Sequence, residues 1–411
     1  MTTSIADVIS GRPLLVHSHL RWDFVWQRPQ QLFSRFARSH EVLFVEEPQY
    51  LDDLVRPTLQ RTQPQPGVHR VIPRLPASYR DSEAASLTAI RALLLDLTGA
   101  TGDLANRFDA PVQWFYTPMP APAMLGAFQE CAVVYDCLDE LAQFRFAPTE
   151  LVHREQYLLA RADVVFAGGH ALATAKSRFH DNVHFFGCGV DADHFARAHD
   201  ADTAIPELLA ALPGPVLGYV GVIDERLDYA LLAHVAEHFP TASVAMVGPV
   251  VKVDTRDLPR RENIHWFGQQ PYEALPAFLK GFDVCLMPFA LNRATQYINP
   301  TKTLEYMASG KPIVSTPVAD VVRHVVPLVT VAESADDYVA AISGRLFAGT
   351  LRGLALRGGQ HGSLGGPGGG VGQPYRARRG DRRTDVSGPA RLLREKTGRG
   401  RARRCPARAP T

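Results

Sequence analysis

Residues 299–316 read Asn299-Pro300-Thr301-Lys302-Thr303-Leu304-Glu305-Tyr306-Met307-Ala308-Ser309-Gly310-Lys311-Pro312-Ile313-Val314-Ser315-Thr316. The pattern predicts a short helix with both ends marked. Asn299 is a good N-cap, and Pro300 then falls at the first helical position, where its missing N–H costs nothing. Gly310 suits the left-handed position after the helix, and Pro312 prevents continuation. Ile313-Val314-Ser315 begins a buried strand. Leu304, Met307 and Ala308 share one helix face, and Lys302, Glu305 and Ser309 share another.

The first turn therefore offers free backbone N–H groups, the positive end of a helix dipole, the hydroxyls of Thr301 and Thr303, and Lys302. Those are the parts of an anion site, for which phosphate is the usual guest. One turn on, Glu305 can accept two hydrogen bonds at once, as from a ribose diol. Diphosphate followed by sugar hydroxyls is the shape of a nucleotide sugar. The plainer alternative is an i,i+3 surface pair of Lys302 with Glu305, worth only about 0.2–0.5 kcal/mol.

The stretch P-x-K-x-x-E-Y-M-A-x-G-x-P-I-V resembles the donor-binding segment of the group 1 glycosyltransferases of GT-B fold. The resemblance covers most of residues 13–345 and is most specific here. It implies a hexosyltransferase-type enzyme that uses a UDP- or GDP-sugar, mostly with retention and without a metal. It also implies that Glu305 holds the donor ribose. Many members carry a second glutamate eight residues earlier, near the transferred sugar; here that position is Tyr297.

Outward from this stretch the same punctuation repeats. Short apolar strands alternate with helical segments from Pro13 to His17 through Val42–Val45, Val112–Tyr116, Ala132–Asp136 and Asp163–Ala167. A polar, proline-containing stretch from Asp193 to Pro215 reads as a linker. The alternation restarts with Val216–Gly221, Ser243–Gly248, Ile264–Gly268 and Asp283–Pro288. This predicts an α/β chain of two doubly wound, Rossmann-like domains, residues 1–200 and 201–345, facing each other across a cleft. The first is the acceptor side and the second the nucleotide-sugar side, as the resemblance implies.

Candidate site residues lie at the strand ends. Gly221 lets backbone approach a diphosphate, and Arg226 could pair with it bidentately. The resembled family has glycine-arginine in this loop, where Val222 stands here. Arg226 could instead hold a surface salt bridge with Glu225 or Asp228. Gly268 stands where the family's backbone meets the nucleobase. Lys252 reads as solvent-exposed more readily than as a cleft residue.

In the first half, His17, His19, Trp26 and Arg28 crowd one strand-to-helix connection with Arg21 and Trp22. Indoles beside guanidinium and imidazole groups suit sugar recognition. Of Trp22 and Trp26, one is expected in the core and the other in the cleft. Asp136 ends a strand together with Asp139 and Glu140, and is the candidate catalytic carboxylate, orienting sugar hydroxyls. The alternative is a helix N-cap by Asp136 or Asp139. Asp191-Ala192-Asp193 matches D-x-D by letter only, and no required metal or other cofactor is expected.

The five cysteines are odd in number and carry no C-x-x-C, against a disulfide framework and against zinc. No apolar run is long enough to span a membrane, and residues 1–12 lack signal-peptide character, so a cytoplasmic protein is expected, with peripheral contact to the inner membrane surface left open. The net charge is +2. It divides unevenly, roughly −10 for residues 1–345 and +12 for residues 346–411. The glycine-, arginine- and proline-rich tail, 346–411, is expected to be disordered. It reads either as a basic arm or as the product of a shifted reading frame in a GC-rich gene. No specific nucleic-acid partner is expected. The expected partners are a nucleotide-sugar donor and a glycan or lipid-linked acceptor, as in bacterial envelope-polysaccharide assembly, teichuronic acid included. A nucleotide-sugar epimerase and a non-catalytic nucleotide-sugar-binding protein are the alternatives.

Overall fold

The computed structural model describes residues 10–358, with side chains through residue 348. The first sheet holds β1 (Leu14–Ser18), β2 (Val42–Glu46), β3 (Gln49–Leu51), β4 (Thr58–Gln65), β5 (Val68–Pro76), β6 (Val112–Phe115), β7 (Ala132–Cys137), β8 (Val164–Ala167) and β9 (Val183–Phe185). Their order is β3-β5-β2-β1-β6-β7-β8-β9, with β4 antiparallel on β5 and every other pair parallel. Alternate residues enter two apolar layers: Leu15, Leu43, Val133 and Val165 on one face, and Val16, Phe44, Trp114 and Phe166 on the other. Parallel strands with helices on both faces need this two-sided burial.

The second sheet is all parallel. It contains β10 (Val216–Val220), β11 (Ser243–Val247), β12 (Ile264–Gly268), β13 (Val284–Met287), β14 (Ile313–Ser315) and β15 (Thr330–Val331), in the order β12-β11-β10-β13-β14-β15. Both sheets reverse direction of winding at one place, between β1 and β6 in the first and between β10 and β13 in the second. A crevice opens at the carboxyl ends of the strands at such a switch point. The candidate residues that follow β1, β7, β10 and β12 belong to these two edges.

Two features depart from the sequence expectation. The hairpin β4–β5 was hidden because β4 is a polar, largely exposed strand and β5 is interrupted by Arg70, Pro73 and Arg74. Only the Pro66-Gly67 turn marks it, and Gly67 has φ +79 with Ala37 O 2.6 Å from where a Cβ would sit. The stretch read as a linker is packed: Phe195, Ala198 and Leu209 lie in the core of the second domain.

The last helix runs Ala335–Gly358. It is anchored by Tyr338, whose hydroxyl donates to Val314 O (2.9 Å) and accepts from Met287 N (3.0 Å). The helix passes the point where the tail composition begins, and residues 359–411, most of the segment expected to be disordered, lie outside the described residues. Among the described residues no helix is long and apolar enough to cross a membrane.

Candidate functional site

Three strand ends of the second domain lie side by side. Gly221 N donates to Val247 O (2.9 Å), and Gly248 N donates to Gly268 O (2.8 Å). Gly221 and Gly248 both have φ +145, open to glycine alone, and a Cβ on residue 248 would lie 1.9 Å from Gly221 O. Gly248→Ala is therefore expected to cost about 3 kcal/mol or more, read by urea unfolding; a loss under about 1 kcal/mol would mean that the loops part freely.

Onto this glycine bed projects Lys302. A Cβ on residue 221 would meet its Nζ at 2.7 Å. The ammonium lies 5.1 Å from the Tyr219 ring centre and 5.4 Å from that of Phe289. Burial and then the Arg226 charge lower its pKa to about 8. Glu305, half-buried one turn on, is pushed up to about 7 by burial, with Lys302 pulling the other way. Among the described residues no ion pair joins Lys302 to Glu305, so the surface-pair alternative is not what this helix makes.

The start of the helix differs from expectation. It runs Lys302–Ala308 with Thr301 at the cap position in helical conformation, and no side chain caps it. Asn299 instead donates to Gly168 O of the first domain at 3.1 Å. Its Nδ2–H is aimed at this tertiary acceptor, and its oxygen makes no capping bond to the helix. Gly310, at φ +65, ends the helix as expected.

Arg226 is committed to Asp224, which neither expectation named. Its Nε and Nη2 bind both carboxylate oxygens at 2.7–3.1 Å, and its own N–H donates to Asp224 Oδ1 at 3.0 Å. Asp254-Thr255-Arg256 makes the same local clasp on the surface. Asp-x-Arg was thus the available signal. The buried Asp224 fixes the guanidinium beside the glycine bed.

The facing wall comes from the first domain. Asp139 is half-buried there; burial raises its pKa, while Arg226, Lys252 and Lys302 act against that and Asp224 adds to it. Lys252 is exposed yet its ammonium stands 5.2 Å from the Phe144 ring of the other domain, so it borders the cleft.

Asp136 has a different place. It is fully buried, bound by Arg28 through Nε (3.1 Å) and Nη2 (2.9 Å). Arg28 Nη1 also donates to Phe186 O (2.7 Å) and Gly187 O (3.1 Å). The pair ties β7 to the turn that closes the first domain. All of β7 is buried under covering helices, Asp136 included, while Asp139 lies half-buried past the strand end, within reach of the charges of Arg226, Lys252 and Lys302. Arg28 is likewise inside the wall.

His17 is buried, stacked on Phe115 at 4.5 Å, and Nε2 meets Gln113 Oε1 at 2.9 Å. Gln113 spends its NH2 on Met124 O, so His17 Nε2 is the donor. Burial takes the pKa of His17 to about 4, and burial with the Lys252 charge does the same for His19; both are neutral at pH 7. Trp22 is core. Trp26 is half-buried, packed on Tyr272 of the second domain at 5.7 Å, and Gln269 of the same segment donates to Phe24 O. Trp26 thus stands opposite the loop that follows Gly268 rather than near His17.

His17 and Ser18 floor a cavity of about 290 Å³ at the carboxyl ends of β1, β2 and β6. Tyr50, Leu87, Ile90 and Met119 give it apolar walls. Among the described residues its charged lining groups are Glu46, Glu47 and Glu83, with no lysine or arginine.

The domains also meet at the Gly168 edge. Asp320, buried in the second domain, accepts from His170 N at 2.9 Å, at the start of the helix His170–Lys176. Tyr297 packs on Gly169 and the first-domain core, where the resembled family places a sugar-facing glutamate. At the other end of that helix, the buried Lys176 binds Glu140 (2.8 Å) and Glu155 (2.7 Å).

Residues 214–346 match the family model of group 1 glycosyl transferases. Over 221 residues the chain is 25% identical to a Bacillus subtilis protein that carries the name of a teichuronic acid biosynthesis glycosyltransferase. The match covers 49% of this chain and 54% of the relative, about half the length of each. Among solved structures, a sucrose-phosphate synthase of Thermosynechococcus elongatus superposes with TM-score 0.57 at 16% identity, covering 82% of this chain and 90% of that one. A trehalose-phosphate synthase of Burkholderia xenovorans, in complex with glucose-6-phosphate, gives 0.58 at 11% identity, covering 81% and 92%. An Anabaena protein in complex with UDP-glucose gives 0.53 at 12% identity, covering 81% and 89%. At such identities the likeness is one of fold, and the fold is GT-B.

Proposed function

We propose that the chain, whose residues 214–346 match the family model of group 1 glycosyl transferases, moves a sugar from a nucleoside diphosphate to an acceptor seated in the first domain. The observation that carries this reading is the approach of Lys302 to the Gly221 backbone, with Glu305 one turn away. Glycine backbone, an ammonium and a guanidinium held in place by Asp224 make a diphosphate cradle whose positive charge comes from the protein. Donor binding therefore needs no metal. Glu305 takes the ribose hydroxyls. Trp26 and Tyr272 flank the nucleobase side near Gly268.

Asp139, rather than Asp136, is the carboxylate that meets the transferred sugar. Asp136 positions Arg28 and, through it, the turn after β9. The cavity above His17 seats the acceptor. Its walls favour a hydroxyl-bearing group with an apolar face; of its three glutamates, Glu46 is paired with Arg21 and Arg70, and Glu83 with Arg154. A neutral glycan end or the sugar end of a lipid-linked acceptor fits; retention follows the family pattern.

Calorimetric titration with UDP and with GDP, in EDTA, is the test. One of the two is expected to bind with a single site, and donor turnover is expected to require acceptor. Absence of binding by both, with the fold intact by circular dichroism, would overturn the donor site. Donor isomerisation without acceptor, followed by NMR, would favour an epimerase instead.

A further inference from the structure

We propose that His234, His238 and Asp336 form a site for a late first-row divalent ion such as Zn²⁺, joining the helix Tyr229–His238 to the start of the last helix. Four residues apart on one helix, the two imidazoles stand on one face, ring centres 4.0 Å apart. His238 Nδ1 bonds to His234 O at 2.9 Å. That bond fixes the tautomer and leaves Nε2 with its lone pair, the form a metal takes; a backbone carbonyl behind a ligating histidine is the usual arrangement.

His234 Nε2 lies 3.2 Å from Asp336 Oδ1, on a different helix. The nitrogen is buried and makes no hydrogen bond, despite that distance. Two ligand atoms about 2.0–2.1 Å from a tetrahedral ion are roughly 3.3 Å apart, so the spacing is that of one tetrahedral edge. The three donor groups offer atoms all within 4.8 Å of one another. Two nitrogens and one carboxylate select zinc, nickel, cobalt or copper over magnesium and calcium, which prefer all-oxygen sets. Water would complete the shell, since Asp336 is largely exposed. None of the three belongs to the cleft described above. The ion's part is to clamp the last helix, whose first turn carries Asp336, against the body of the domain.

The test is titration of the untagged, EDTA-treated full chain with ZnCl2 at pH 7.5, with a thermal melt beside it. One ion per chain is expected, with Kd at or below about 10 μM and Tm raised by about 3–6 °C in excess zinc. Magnesium should not compete. His234→Ala and His238→Ala are each expected to weaken binding at least about tenfold, with unchanged far-ultraviolet dichroism and unchanged UDP or GDP binding. Wild-type affinity in the double variant, or a Kd above about 1 mM, would leave an adventitious ion only and overturn the site. Undiminished affinity in Asp336→Asn would overturn the three-ligand assignment.

Discussion

Glu305→Gln is expected to weaken nucleoside-diphosphate binding by about 10- to 100-fold while making the protein more stable at pH 8. The loss follows from replacing charged acceptors of ribose hydroxyls by a neutral amide, worth about 1.5–3 kcal/mol. The gain follows from the raised pKa of Glu305, about 7 in the fold against an ordinary 4.5. For a carboxyl raised in this way, the associated stability is fully present below the unfolded pKa. It is lost as pH climbs to the folded value, so above pH 7 the wild type holds a half-buried charge that glutamine lacks. With allowance for solvent access and for the counter-charge that Lys302 loses, the gain is about 1 kcal/mol. It should vanish near pH 4, where the wild-type carboxyl is neutral too. Urea unfolding at both pH values, beside calorimetry, separates the effects. Equal binding in the variant would remove Glu305 from the donor site.

The same two groups set the pH range of binding. Glu305 must be ionised and Lys302 protonated, so affinity should fall below about pH 7 and above about pH 8. A bound diphosphate favours the ammonium and moves the upper limb higher.

Arg28→Met is expected to destabilise the chain by about 3–5 kcal/mol, because it strands the fully buried Asp136 without its partner. Removing both charges together, as Arg28→Met with Asp136→Leu, should recover part of that loss, since two apolar groups need no counter-charge. Urea midpoints of the three variants give the coupling. A single-variant loss below about 1 kcal/mol would mean that water reaches Asp136.

What could be read from the sequence was what depends on neighbours in the chain. The 302–308 helix, its Gly310 end and its polar face of Lys302 and Glu305 are local and came through. Trp22 is in the core as expected, whereas Trp26 packs on Tyr272 of the second domain rather than beside His17. Asn299 was misplaced because its amide serves an acceptor some 130 residues away in sequence, Gly168 O. Asp136 and Asp139 could not be ranked from text, because only sheet register and covering helices decide which carboxylate faces inward. The partner of Arg226 was local and readable: Asp-x-Arg closes on itself, and does so twice. The β4–β5 hairpin was lost because an edge strand shows no apolar alternation.

The helix His170–Lys176 is seven residues long and is held at both ends by buried charge. Its first N–H rests on Asp320 of the second domain, and its last residue grips Glu140, the immediate neighbour of Asp139. It therefore ties the second domain, at one end, to the loop that carries Asp139 at the other. Asp320 and Glu140, the neighbour of Asp139, are thus joined through seven residues of helix.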